Sequence, residues 1–352
     1  MSERKQVLLH AGLPKTGTTY LQRCFADNAD WLRSRGVAYP TLGREHLYGQ
    51  HNLSRYLNGE PLVNADFRGR SPVEVFRAAL QAEVGRVLIS CERLATLTGA
   101  GSAQLGEALE GHDVSVVVYL RRRSAVCVSM WSELVKHGLL ASFEEFLAGE
   151  LLGTSAWVLR PEVVLRKVHA MVGGERMTVV LYDHLVEDGV ELSGHFCEAQ
   201  LGLEVDASYA LPDRAFNRSD DRATLEVVRA VNEARARRGH APDISEHLAL
   251  SAFLRADPVG AQVIEQVREL TAARGEDLDL RRLDSEWLDQ DRWLRAELGD
   301  RVLNPGAGED LFRPRQEARV RVLRPARLYA AVPAQVFDDL AARLPAPLQP
   351  QG

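Results

Sequence analysis

Short apolar runs rich in valine and leucine recur along the chain at Val7 to Ala11, Gly36 to Tyr39, Arg86 to Ser90, Val114 to Leu120 and Met177 to Tyr182. Each is brief and nearly continuous, as expected of a strand buried on both faces. Between most of them apolar positions return at helical spacing, which predicts helices over 18–35, 103–110, 124–136, 162–172 and 191–201. Strands alternating with helices predict an α/β fold: a three-layer arrangement in which a parallel sheet is covered by helices on both faces. Ligands of such sheets gather at the carboxyl ends of the strands.

Two regions depart from the alternation. The stretch 41–75, rich in Gly, Asn, Arg, Tyr and His, reads as a lid or insertion, or as an irregular solvated loop. Beyond Leu211 the chain turns to charged helical patterns over 221–238 and 264–274, Pro/Gly punctuation at Asn304-Pro305-Gly306, and a basic, apolar helical pattern over 320–344. The expected organisation is a core over 1–219 and a mainly helical C-terminal cap over 220–352. No repeat or low-complexity tract interrupts it.

The 352 residues, 26% charged and 45% hydrophobic, have the composition of an ordinary globular protein. A net charge of −6 argues against general nucleic-acid binding. Cys24, Cys91, Cys127 and Cys197 are widely spaced, without metal-binding spacing, and read as reduced thiols. The first apolar run is too short for a secretion signal, and no run approaches the roughly 20 residues of a membrane span. A cytoplasmic protein with no membrane partner is expected.

The first strand runs directly into Gly12-Leu13-Pro14-Lys15-Thr16-Gly17-Thr18-Thr19 and then a helix. Unpaired N–H groups and the positive end of a helix dipole make such a turn an anion site, to which Lys15, Thr18 and Thr19 add a cation and two hydroxyls. The spacing approaches the nucleotide-triphosphate loop G-x4-G-K-[ST], but Thr18 stands in the lysine slot and Lys15 comes three residues earlier.

The string Pro14-Lys15-Thr16-Gly17-Thr18-Thr19-x-Leu21-Gln22 resembles the 5′-phosphosulfate loop of sulfotransferases that use 3′-phosphoadenosine-5′-phosphosulfate (PAPS). The resemblance implies a P-loop-like α/β core in which Pro14 to Thr19 bind the phosphosulfate and Lys15 takes part in catalysis, with no metal. It extends over roughly residues 6 to 219. The strand ending in Arg121-Arg122-Arg123, read alone, is a solvated charge run. Beside the loop it resembles the family's strand and helix whose arginine and serine hold the 3′-phosphate, and Arg121 and Ser129 have that eight-residue spacing. Further matching strings are Trp131 to Gly138, Ser142 to Leu147 and Val180 to Leu185. The Arg-Lys-Gly adenine loop of the cytosolic eukaryotic members is missing. Asn217 and Ser219 resemble a late bacterial element, although a helix N-cap also accounts for Ser219.

For the base that takes the acceptor's proton, the resemblance points to Glu92, directly after the strand 86–90. His51 is the competing choice, and each also reads plainly, Glu92 as a surface carboxylate paired with Arg86 or Arg93 and His51 as a lid histidine. The implied reaction moves a sulfuryl group from PAPS, leaving adenosine 3′,5′-bisphosphate, to a hydroxyl or amine of a small-molecule, natural-product or carbohydrate acceptor. A P-loop small-molecule kinase and a non-catalytic adenosine 3′,5′-bisphosphate-binding module are the alternatives.

Overall fold

The structure, a computed structural model, describes residues 4–45, 48–150, 160–172, 176–212, 220–240, 247–285, 296 and 318–344. Asn217, Ser219 and the 304–306 punctuation lie outside them. Two compact units form: one from 1–122, 160–217 and 286–313, the other from 123–159, 218–285 and 314–352.

The first unit carries five strands, β1 (Gln6–His10), β2 (Val37–Ala38), β3 (Arg86–Ser90), β4 (Asp113–Leu120) and β5 (Met177–Leu181), all parallel in the order β2-β3-β1-β4-β5. Alternate side chains go to opposite faces. Val7, Leu9, Val87, Ile89, Val116 and Val118 pack with Leu53 of α3 (His51–Leu57), Val73 of α4 (Pro72–Ala79), Leu105 of α5 (Gly99–Leu109) and Val164 of α8 (Pro161–Val172). Leu88, Val117, Tyr119 and Val180 pack with Leu21 and Phe25 of α1 (Thr18–Asp27), Leu32 of α2 (Ala29–Ser34) and Phe196 of α10 (Leu192–Leu201). The expected α/β architecture, a parallel sheet between two helical layers, is therefore the one observed.

The helix predicted over 18–35 is broken at Asn28. The buried Asn28 amide donates to the Cys24 and Ala210 carbonyls, both at 2.8 Å, and accepts from the Ala210 N–H at 2.7 Å. A side chain that satisfies backbone groups in this way ends the regular ladder. In its described residues the 41–75 stretch is not an irregular loop. It contains α3, then a capping box in which Ser71 and Glu74 bond each other's backbone N–H at the start of α4. Its Gln50 stands in for a strand: β2 pairs only with Arg86 and Val87, and beyond it the Ser90 N–H donates to Gln50 Oε1 (2.8 Å) while the Gln50 N–H donates to the Ser90 carbonyl (3.0 Å).

The second unit consists of α6 (Arg123–Lys136), α7 (Phe143–Glu150), α11 (Arg222–Arg237), α12 (His247–Ala256), α13 (Pro258–Arg274), α14 (Arg281–Ser285), α15 (Pro325–Ala331) and α16 (Ala334–Arg343), with an antiparallel ribbon of β6 (Glu276–Asp279) and β7 (Arg319–Val322). The sequence pattern did not predict this ribbon. Here α11 is buried almost throughout, including Glu226 and Arg229, each 1% exposed and 2.9 Å apart. Arg229 also bonds Glu233 and the Leu140 carbonyl.

Removing one partner from a buried pair strands the other's charge. Arg229→Ala should therefore lower stability by about 3–5 kcal/mol in urea unfolding, and the double change Glu226→Leu with Arg229→Met should recover most of that loss. Equal losses in the single and double variants would mean that the guanidinium contributes packing alone.

Candidate functional site

The register of the sheet brings the ends of β1 and β3 level, with His10 opposite Ser90 and the Cys91 N–H donating to the His10 carbonyl at 3.0 Å, while β4 runs on from Val117, opposite His10, to Leu120, level with Leu181 at the end of β5. The loop after β1 turns through two left-handed residues, Lys15 (φ 68°) and Gly17 (φ 78°). Gly17 is required there twice over, by its positive φ and because a Cβ would stand 2.4 Å from Leu192 Cδ2 and 3.0 Å from Tyr182. No side chain caps the N-terminus of α1. Thr16 and Thr18 are buried, with Thr16 Oγ1 donating to the Leu13 carbonyl at 2.6 Å and lying 3.4 Å from Thr18 Oγ1, whereas Thr19 is exposed and Pro14 and Lys15 are half-buried. The backbone donors and Lys15 of this turn suit an anion.

The three arginines after β4 do not form a solvated run. Arg121 Nη1 donates to the Lys15 carbonyl at 2.8 Å, its Nε lies 3.6 Å from Asp183 Oδ1 with no hydrogen bond of its own, and its guanidinium sits over Tyr182 at 5.3 Å. Arg122 is buried and paired with Glu187, while its N–H donates to Asp183 Oδ2 at 2.5 Å. Arg123 opens α6 and is buried. Ser129 is half-buried on the same helix, in the second unit.

At the end of β3, Glu92 is half-buried at the start of a 3-10 turn (Glu92–Thr96). Of the two arginines that could pair with it, Arg93 binds Glu60, and Arg86 donates to the Leu201 and Arg35 carbonyls. His51, the first residue of α3, has Nδ1 3.6 Å from Cys91 Sγ and Nε2 3.3 Å from Gln22 Oε1. Burial pushes the Cys91 thiol up to about 11, so it stays protonated near neutral pH. Both ring nitrogens of His51 thus have partners inside the fold. Gln22 Nε2 reaches the Ser90 carbonyl at 3.4 Å, which ties α1 and the 41–75 insertion to the end of β3.

Two features were given no site role by the sequence reading. Tyr182 and Asp183, within the string Val180 to Leu185, open α9 (Tyr182–Glu187) at the end of β5, where the rule that ligands meet strand ends points to them. His10, the last residue of β1, is fully buried among Phe25, Tyr119 and Phe196 at centroid distances of 6.5, 5.6 and 5.4 Å. Its Nδ1 lies 2.8 Å from Ser90 Oγ and its Nε2 has no hydrogen-bond partner. Burial lowers its pKa to about 3, so the ring is neutral.

No family model and no curated protein matches the chain. Among solved structures, it is similar to a sulfotransferase from Alicyclobacillus acidocaldarius at 16% identity and a TM-score of 0.38, over 70% of this chain and 99% of that one. Among the described residues no helix is long and apolar enough to cross a membrane.

A histidine that is neutral when folded and titrates near 6.5 when unfolded adds stability above pH 6.5 that is lost as the pH falls toward 3. The stability difference between the wild type and His10→Phe should therefore move against the wild type by up to about 1.4 kcal/mol per pH unit between pH 6 and 4. Unfolding curves across that range test this, and parallel pH dependences would show that His10 does not titrate as described.

Proposed function

We propose that the chain is a sulfotransferase that takes its sulfuryl group from PAPS. The observation that carries this reading is the hydrogen bond from Arg121 to the Lys15 carbonyl, which joins the two motifs read separately in the sequence. An uncapped helix N-terminus behind Lys15 and an arginine held at the next strand end suit a ligand with two separated anionic groups. The group bound there would supply the sulfuryl and leave as adenosine 3′,5′-bisphosphate. The segment Pro14 to Thr19 would hold its 5′ end by the backbone N–H groups that follow the proline and by hydroxyls, and Arg121 its 3′-phosphate.

The acceptor hydroxyl must give up a proton as its oxygen bonds to sulfur, while the bond from sulfur to the bridging phosphate oxygen breaks and that oxygen gains charge. Lys15 would stabilise the growing charge, and Glu92 would accept the proton. Glu92 is preferred to His51 because it directly follows β3, whose end is level with that of β1, the strand that carries the Lys15 loop. The acceptor would be a small molecule, natural product or carbohydrate bearing a hydroxyl or an amine.

Calorimetry should find adenosine 3′,5′-bisphosphate bound much more tightly than AMP, and activity should persist in EDTA. Lys15→Ala should reduce turnover by roughly 10²- to 10³-fold, whereas Arg121→Ala should mainly weaken binding, since the charge of the 3′-phosphate is unchanged in the transition state. Equal affinity for AMP and the bisphosphate would overturn the reading, and activity lost in EDTA but restored by magnesium would favour the kinase.

Glu92→Gln keeps the shape and removes the base, so turnover should fall by about 10²-fold or more with bisphosphate affinity nearly unchanged. Normal turnover in Glu92→Gln together with loss in His51→Asn would pass the role to the histidine.

A further inference from the structure

A fully buried imidazole nitrogen with no partner forgoes a hydrogen bond that water would have supplied, and native folds rarely leave such a group without a use. His10 Nε2 is in that position directly beneath the anion loop. A Cβ added at Gly12 would stand 3.1 Å from His10 Nε2 and 3.2 Å from Thr18 Oγ1, so the ring nitrogen and the hydroxyl border the same space left by the bare glycine. Thr16 Oγ1 already gives its proton to the Leu13 carbonyl at 2.6 Å. The 3.4 Å contact between the two threonine hydroxyls can therefore only use the proton of Thr18, and at that length it holds it weakly.

We propose that His10 is a positioning residue for the anion loop: Ser90 donates to Nδ1, the ring proton is held on Nε2, and Nε2–H donates to Thr18 Oγ1 when the loop binds its anion. A hydroxyl has one proton. Once Oγ1 accepts from Nε2, its proton points away from the ring and toward the anion rather than toward Thr16. The cage of Phe25, Tyr119 and Phe196 fixes the ring plane, and a Ser90 hydroxyl donating to Nδ1 leaves the ring proton on Nε2. A ring that stays neutral near pH 7 keeps one donor and one acceptor nitrogen, as this relay requires. The inference rests on the proposed function for the identity of the ligand, but only on the loop for the presence of an anion.

Imidazole 15N spectra of the wild-type protein provide the first test. The ring should appear as the Nε2–H tautomer, and its Hε2 signal should move downfield when either inorganic phosphate or adenosine 3′,5′-bisphosphate is added. Movement with phosphate and no binding of the bisphosphate would overturn the proposed donor and leave the relay standing. Binding of the bisphosphate by calorimetry with an unmoved Hε2 signal would overturn the relay and leave the proposed function standing. A lack of binding by both anions would overturn both.

Variants give the second test. His10→Asn keeps a group at Nδ1 to meet Ser90 and removes Nε2, so bisphosphate affinity should fall by about 3- to 10-fold, the worth of one hydrogen bond. His10→Gln, whose amide reaches toward the Nε2 position, should restore most of it. In a Thr18→Val background His10→Asn should have no further effect. The same loss in both backgrounds would mean that His10 only supports the fold, and the relay would be abandoned.

Discussion

The carbonyl of Lys15 accepts a hydrogen bond from Arg121, and much of the candidate site follows from that contact. The Lys15 backbone is left-handed, a conformation that a residue with a Cβ holds only when its surroundings favour it. A guanidinium fixed at the end of β4 supplies part of that support. Asp183 completes the arrangement from the end of β5, with one carboxylate oxygen near Arg121 and the other on the Arg122 N–H. Three strand ends are thus tied together by polar groups rather than by apolar packing. Sheet register sets the positions, and charge sets the shape of the turn.

The sheet was legible in the sequence because buried parallel strands leave short runs of valine and leucine that little else imitates. The turn after β1 was legible because its glycines mark a local backbone requirement, met at Gly17 by a positive φ. What the pattern missed depends on partners far along the chain. The break at Asn28 needs Ala210, the order of the 41–75 stretch needs Ser90, and the burial of His10 needs Phe196. A lone histidine at the end of an apolar run gives no sign of whether its ring will have a partner. The helix over 18–35 was overextended for the same reason, since an asparagine within an amphipathic pattern reads as helix until a second segment claims its amide.

Composition was a poor guide in the second unit as well. The segment of α11 reads only as a charged helical pattern, yet Glu226 and Arg229 are buried on it, where they bond each other and Arg229 donates to the Leu140 carbonyl. The acidic β6 and the basic β7 pair antiparallel, with Asp277 opposite Arg321 and Asp279 opposite Arg319. Opposite charges placed directly across a ribbon favour its pairing, a relation invisible to any reading of one segment at a time.

Gln50 carries a consequence for anyone wishing to exchange the 41–75 segment of this scaffold. Because β2 is only two residues long, the outer edge of β3 is finished by one amide side chain and its own N–H. An exchange that discards Gln50 would leave the Ser90 N–H without its acceptor and the Ser90 carbonyl with only the long Gln22 contact, at the edge of an apolar strand that could then pair with another chain. A graft that ignores this residue would thus favour self-association, so the practical boundary for grafting begins after Gln50.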